Sequence, residues 1–594
     1  MKTRAWTALL LAVMPGQLAC RCTEKADAQG PAKVAVRVAF PGASPAEVEQ
    51  TLALGVEETL GTVQQAVSVE SICRPGQLLC LVEGRGPAEA ADPLLGEVHL
   101  ALQRIASVMP YEVDPPAVWA LRPSQGTSLV SLSGTQDPAD LAELGRRLRS
   151  GLLELPGVRL VERIGVASSR VVVEIDARKL QLFGLSGEEL AQAIRTADLD
   201  LPGSASAGVD GLLLRIEAKP MTQDELGRIQ VGRSQDRPVL LRDLARIRQE
   251  LGQPGDAWVL TGAGPGLALR VSWTAGARQP ALRQALERFR AQARPGLQVQ
   301  RFDLHAPGPG SIQDRGLVEG WLALPAGTGA EQRASIAHKL AQQLAGIPES
   351  QAFVLLMRTA EGKGWREEAD GLLHLRTPSP EAARLASQRL REALARIPGL
   401  RAHARARADG QRLADLEIAI RGPDRRVLVE SAERVRARLE SLPAIGLVIG
   451  QGLEQLPELR IELDRERLAS LGLSTARVSA AIRLAMHGER VFTLYSAGQA
   501  LPVELRMAAR RDPLDSLQSI NLRTPAGEQV PLASLAKLIQ DLAPGELLRI
   551  DGQPAVRLRA FLQTSLDGGP EALERSLARD LGPAVQVRVG SSRR

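Results

Sequence analysis

Two stretches of the chain carry one pattern of apolar and polar positions. VVVEIDARKLQLFGLS (residues 171–186) and LRIELDRERLASLGLS (residues 459–474) each open as a β-type run that stops at a carboxylate, Asp176 or Asp464. A helical turn is predicted next, ended by Gly184 or Gly472. Two residues on, Ser186 or Ser474 is placed to cap a second helix. The copies lie 288 residues apart, and the same offset relates Gly134 to Gly422 and Ile194 to Ile482. After a small change in length, PVLLRDLARI from Pro238 matches VPLASLAKL from Val530. A repeat this long marks a duplicated domain, because solenoid units run to only about 20–50 residues. Asp176 and Asp464 occupy equivalent points of separate copies, so the pattern assigns them turn or cap roles rather than one paired-carboxylate site.

Outside these copies the pattern over residues 31–120 predicts β-α-β-β-α-β, the split βαβ or ferredoxin-like order. Its first helix carries a capping box, Ser44 with Glu47, and Pro45 at its first position. A second unit covers residues 121–165 and 253–304, interrupted at 166–252 by the first copy of the repeat. Residues 305–316 are rich in Pro and Gly and read as a linker. A third unit takes residues 317–409. The fourth takes 410–453 and 541–594, interrupted by the second copy at 454–540. The expected fold is α+β: duplicated ferredoxin-like units with two matched insertions.

At 594 residues the chain can hold several cores, and 44% hydrophobic residues is a globular content, although aromatics make up only 3%. The net charge of +6 comes from scattered arginines, with no basic stripe interleaved with aromatics, so no nucleic-acid partner is expected. The N-terminus places Lys2 and Arg4 before an apolar run from Ala5 to Met14. That run is shorter than the roughly 20 residues of a spanning helix and has the form of a signal peptide. Residues 1–30 are therefore read as a leader with two exits. Gln17-Leu18-Ala19-Cys20 is a near-lipobox that would leave Cys20 lipidated, and Ala26-Asp27-Ala28 is an ordinary cleavage site. Either exit predicts a periplasmic protein, lipid-anchored or free. No other run approaches 18 continuous apolar residues, so no transmembrane helix is expected in the mature chain. Cys73 and Cys80 flank RPGQLL in a predicted hairpin. Centring the turn on Gly76-Gln77 sets them opposite each other, which predicts a disulfide of about 2.5 kcal/mol; two buried thiols are the alternative.

Taken in order, several segments resemble the periplasmic part of resistance-nodulation-division (RND) efflux permeases. They are VRVAFPGASPAEVEQTLALGVEETL, LPGVRLVERIG, VEIDARKLQLFGLSGEELAQAIRTADLDLPGS, DELGRIQV with PVLLRDLARI, and IELDRERLASLGLSTARVSAAIRLAMHGERV. The resemblance covers nearly all of residues 32–590. It implies four porter subdomains and two docking modules of a trimeric funnel that takes up hydrophobic compounds or metal ions. Implied partners are an efflux adaptor protein, an outer-membrane channel or a full-length RND permease. A homotrimer is implied too, with the arm at 194–212 reaching a neighbour. Family members also carry twelve transmembrane helices in two blocks, with acidic residues that relay protons. Here APGPGS stands where the first block would follow LQVQRF, and VQVRV closes the chain where the second would begin. Proton coupling needs an ionisable group held within the bilayer. The expectation is a porter and docking component that binds or docks without energy-coupled transport, with an envelope scaffold lacking small-molecule cargo as the alternative.

No catalytic site, metal site or cofactor is expected. His99, His305, His338, His374, His403 and His487 show no ligand spacing. Gly362-Lys363-Gly364 lacks the Ser or Thr of a phosphate loop, and GSASAG at 203–208 lacks the first glycine of a nucleophile elbow. Met357, Met486 and Met507 form no cluster by spacing and read as core filler. Phe40, Phe183, Phe289, Phe302, Phe353, Phe492 and Phe561 are spread thinly, most on positions that face a core, so substrate-binding residues are left unassigned.

Overall fold

Strand edges, more than strand faces, organise this chain, because its strands are sewn into sheets that cross from one unit to another. The computed structural model describes residues 31–592 except 89–90, 107, 111–112, 122–125, 135–136, 167–168, 198–221, 235–236, 253–256, 274–278, 294–295, 306–315, 359–368, 408–414, 487, 497–498, 509–516, 518–519 and 582–584. Cys20, most of the linker, the greater part of the 194–212 arm, Gly362-Lys363-Gly364 and GSASAG thus lie outside the described residues.

The first unit supplies β1 (Pro31–Ala39), β2 (Ala66–Arg74), β3 (Gln77–Pro87) and β4 (Ala117–Leu121). The second supplies β5 (Gly126–Ser133) and β6 (Val158–Ile164). An insertion follows with β7 (Ser169–Ile175), β8 (Gln230–Ser234), β9 (Arg237–Leu240) and β10 (Ala245–Leu251). The unit resumes with β11 (Ala257–Thr261), β12 (Gly264–Trp273) and β13 (Gln298–His305). The third holds β14 (Leu317–Ala323), β15 (Ala352–Arg358), β16 (Gly371–Arg376) and β17 (Arg401–Ala406). The fourth opens with β18 (Asp415–Arg421) and β19 (Ile445–Gln451). Its insertion contains β20 (Gln455–Leu463), β21 (Glu489–Ser496), β22 (Gln499–Met507), β23 (Asn521–Arg523), β24 (Gln529–Pro531) and β25 (Ala536–Pro544). It closes with β26 (Leu547–Ile550), β27 (Gln553–Leu562) and β28 (Gln586–Ser592).

Two nine-stranded sheets form the body. One runs β28-β18-β27-β26-β2-β3-β1-β4 with β19 also on β27; the other runs β13-β5-β12-β11-β15-β16-β14-β17 with β6 also on β12. The first unit is thereby joined to the fourth through β2 and β26, and the second to the third through β11 and β15. The joining strand is in each case the one that leaves an insertion. The architecture is mixed α/β with largely antiparallel sheets, in line with the α+β class read from the sequence.

Helices begin where the sequence supplies caps. Ser44 Oγ accepts from the Glu47 amide at 3.3 Å and Glu47 returns the bond to the Ser44 amide at 2.8 Å, completing the capping box. The helix then widens into a π-turn over Glu49–Ala53 before Leu54–Gly61. Asp137, Ser379 and Asp424 cap the helices Pro138–Leu153, Pro380–Ala395 and Arg425–Glu440. Each unit closes an apolar core between its helices and one face of its strands.

The hairpin register corrects the disulfide expectation. The turn is Pro75-Gly76, with Gly76 at φ +75° and Arg74 opposite Gln77. Pro pre-sets the first turn position and only glycine enters the left-handed second one at no cost, so Pro-Gly outcompetes Gly-Gln. Cys73 then faces Leu78, and Cys80 faces Ser71, whose hydroxyl lies 3.5 Å from its sulfur. Both thiols are free and fully buried.

Candidate functional site

The two acidic residues singled out by the repeat are helix caps. Asp176 Oδ1 accepts from the Arg178 amide at 2.9 Å, and Asp464 Oδ1 from the Arg467 amide at 3.0 Å. Gly184 and Gly472 end these turns at φ +66° and +67°. Ser186 and Ser474 accept from amides three residues on, at 3.2 and 3.3 Å. This local grammar sets up the helices Gly187–Ala197 and Thr475–Met486 in the same relation to β7 and β20.

Among the described residues the insertions nevertheless differ in what covers them. The hairpin β21–β22 leaves its own insertion and adds to the other one, so that β22 runs parallel to β7, with Val503 beside Val171 and Leu505 beside Val173. One face of the sheet β10-β7-β22-β21 is apolar, with Val171, Val173 and Ile175 fully buried against Phe492, Leu494 and Leu505. The opposite face is held by charge. Arg170 pairs with Glu504 at 2.7 Å and Glu250 at 2.9 Å, and Arg506 reaches Glu250 at 3.2 Å. Burial pushes the Glu250 carboxyl up, but the Arg170 hydrogen bond and the Arg506 and Arg248 charges outweigh it and hold the group below its ordinary value. By contrast β20 pairs only with β25 among the described residues, and its Leu459, Ile461 and Leu463 are only partly buried. Among the described residues its other edge carries no strand.

A second contact closes the two large sheets on each other between the third and fourth units. Trp321 of β14 packs on Phe561 of β27 with ring centroids 4.8 Å apart, flanked by Leu447 and Ile449 of β19. Trp321 is 2% exposed and Phe561 1%. His403 of β17 stacks on Trp321 at 6.2 Å, and Gly446 lies so close that a Cβ there would stand 2.1 Å from the imidazole Nδ1. Arg405 sits 4.7 Å over the Trp321 ring, donates to Asp415 at 3.0 Å and reaches the Leu562 carbonyl at 3.3 Å. Asp415 opens the fourth unit, so this guanidinium latches the two units. Among the described residues the buried His403 Nε2 has no hydrogen-bond partner. Burial, with the Arg405 and Arg391 charges, pushes the imidazole down to about 4, leaving the ring neutral.

Sequence reasoning missed this contact, although LVEGWLA in β14 carries a usable signal. A near-continuous apolar strand is one covered on both faces, and every residue of β14 is buried. The joining strand β26 also had a signal, the Asp-Gly of residues 551–552, which is a strong hairpin pair. Asp551 takes φ +50° and Gly552 +77°, and Asp551 Oδ1 accepts from the Val69 amide at 3.0 Å. Met357 is core filler as expected, whereas Met486 is 36% exposed and Met507 borders a cleft between the insertions. Among the described residues no group of three or more His, Cys, Asp or Glu is placed to hold a metal ion, and no helix is long and apolar enough to cross a membrane.

A family model described as the AcrB/AcrD/AcrF family matches residues 28–299 and 312–581. Protein HelA of Legionella pneumophila is 29% identical over 154 residues, 25% of this chain and 14% of HelA. The cobalt-zinc-cadmium resistance protein CzcA of Cupriavidus metallidurans is 26% identical over 153 residues, 25% of this chain and 14% of CzcA. The cation efflux system protein CusA of Escherichia coli (strain K12) is 25% identical over 225 residues, 36% of this chain and 21% of CusA. The alignments thus span between a seventh and about a fifth of each of these relatives.

Proposed function

The chain belongs to the AcrB/AcrD/AcrF family of RND permeases, and from that premise we propose that it serves an RND-type efflux system as a porter and docking component without proton-coupled transport of its own. The observation that carries this reading is the joint between the matched stretches: one ends at 299 and the next begins at 312. Each spanning helix needs about 20 residues, so residues 300–311 leave no room there for a block of them.

In this reading residues 31–120, 121–165 with 253–304, 317–409, and 410–453 with 541–594 are porter subdomains of ferredoxin-like type. Residues 166–252 and 454–540 are docking modules. The protein acts in the periplasm after removal of a leader, with Cys20 as the lipid anchor. Its partners are an efflux adaptor, an outer-membrane channel or a full-length permease, and no catalytic step is assigned to it. A homotrimer is part of this reading: among the described residues one edge of β20 carries no strand, whereas β7, its counterpart 288 residues earlier, is covered by a hairpin, and such an edge can take a strand from another copy. The scaffold alternative is favoured by the full burial of Trp321 against Phe561, which leaves the facing sheets in contact with each other rather than with cargo.

In-cell crosslinking of the native envelope followed by purification tests the proposal. Recovery of an adaptor, channel or full-length permease with the chain is expected. In a strain lacking other pumps, the chain alone should give no dye extrusion sensitive to an uncoupler. Recovery of uncrosslinked monomer only would overturn the docking role, and uncoupler-sensitive extrusion would overturn the absence of transport.

A further inference from the structure

The cleft between the two insertions has a chemistry that neither the repeat nor the sheet seams require. Its floor is apolar, from Leu180 of the helix Ala177–Phe183, Leu484 of the helix Thr475–Met486 and Met507 at the end of β22. Its walls are kept thin by Ala177, Gly187 and Ala485. The space is about 100 Å³, against the roughly 10–15 Å³ that one water needs on the same measure. Gln181, Asn521, Gln529 and Arg523 bring polar groups to it, and among the described residues no carboxylate lines it.

Arg523 is the one charged lining residue among those described. It donates to the Gly184 carbonyl at 2.5 Å and stands 3.7 Å from Glu189 Oε1. The other carboxylate oxygen of Glu189 is held by Ser186, from its amide at 2.8 Å and its hydroxyl at 3.0 Å. A guanidinium has five donors, so this loose pairing leaves Arg523 able to meet an anion in the cleft. The repeat does not duplicate this small-residue lining. At the 288-residue offset Arg465 stands in place of Ala177 and Thr475 in place of Gly187. A Cβ at Gly187 would stand 2.4 Å from Leu484 Cδ2. The small residues therefore keep space that side chains at equivalent positions would fill. Pockets with an apolar body and a few convergent polar groups, set between domains, are the usual form of a small-molecule site.

We propose that this cleft binds a small amphiphilic anion, a carboxylate with an unbranched apolar chain. The chain lies on the Leu180, Leu484 and Met507 floor, and the carboxylate meets Arg523 with the neighbouring side-chain amides. Because the walls come from both insertions, the bound ligand ties them together. The inference does not depend on the efflux reading.

The full chain labelled with [methyl-13C]methionine is titrated with decanoate, decanol and decyltrimethylammonium, each below its micelle concentration. Loss of one signal in Met507→Leu assigns the reporter among the seven methionines. Decanoate should shift the Met507 methyl saturably and bind about tenfold or more tighter than decyltrimethylammonium. Arg523→Gln should weaken decanoate about tenfold while changing decanol about twofold at most. Ala485→Phe should abolish binding of all three. Gly187→Ala, which drives Leu484 into the space, is the second filled variant should Ala485→Phe fail to fold. No saturable shift, equal binding of the anionic and cationic probes, or unchanged binding in the filled variant that folds would overturn the proposal.

Discussion

Acidification should loosen the contact between the third and fourth units through His403. The imidazole sits between Trp321 and Gly446, with Arg405 and Arg391 as the charges acting on it and Asp415 paired to Arg405. An unfolded chain takes up this proton near 6.5, the folded one near 4. Between those values the unfolded or separated state binds more protons, so the stability contributed by the neutral ring is complete above 6.5 and lost as pH falls toward 4. At 1.36 kcal/mol per pH unit, the loss is about 2 kcal/mol at pH 5 and about 3 kcal/mol at pH 4. His403→Leu keeps a similar volume and removes the titration. Amide hydrogen exchange of β14, β17, β19 and β27 is compared between the two proteins at pH 7, 6 and 5, so that intrinsic exchange rates cancel. Relative to the variant, protection in the wild type should fall about 30-fold between pH 7 and 5, which is the 2 kcal/mol converted. Equal pH dependence in the two proteins would refute the reasoning, since it would mean that the ring titrates as it does in water.

Cys73 and Cys80 should resist iodoacetamide at pH 8 in the folded protein and react together after denaturation. Burial pushes both thiols up, Cys80 to about 12, and neighbouring Cys80 and Glu49 charge adds to the effect at Cys73. Rapid labelling of the folded chain, or a disulfide-linked peptide in a non-reduced digest, would contradict the observed register. At the seam between the first and fourth units, Arg549 donates to both oxygens of buried Glu57 at 3.0 Å and to Glu49 at 3.0 Å. Arg549→Met should cost about 3–5 kcal/mol because it leaves a buried carboxylate unpaired, and Glu57→Gln in the same chain should recover most of it. Burial already raises the Glu57 carboxyl, offset in part by Arg549. A raised folded value favours the protonated form, so the single variant should regain stability as pH falls toward 4.5, and lose it as pH rises. Additive effects of the two substitutions in urea denaturation would argue against a direct pair.

The features legible in the sequence are local. The caps at Ser44, Asp176 and Asp464 and the glycine stops at Gly184 and Gly472 follow from residues a few positions apart. Those interactions are short-ranged and specific to residue type, so the 288-residue repeat shows the Asp caps and the glycine stops twice. The cysteine register is also local, but Pro-Gly and Gly-Gln compete for one turn, and the hairpin takes Pro75-Gly76. Tertiary structure alone decided that β2 is sewn to β26, β11 to β15 and β22 to β7. Backbone groups make those bonds, and every residue but proline supplies the same donor and acceptor. Val171 and Val503 therefore carry no mark that they will be neighbours. The Trp321–Phe561 contact and the cleft beside Arg523 depend on those seams, because only the completed sheets bring β14 against β27 and one insertion against the other.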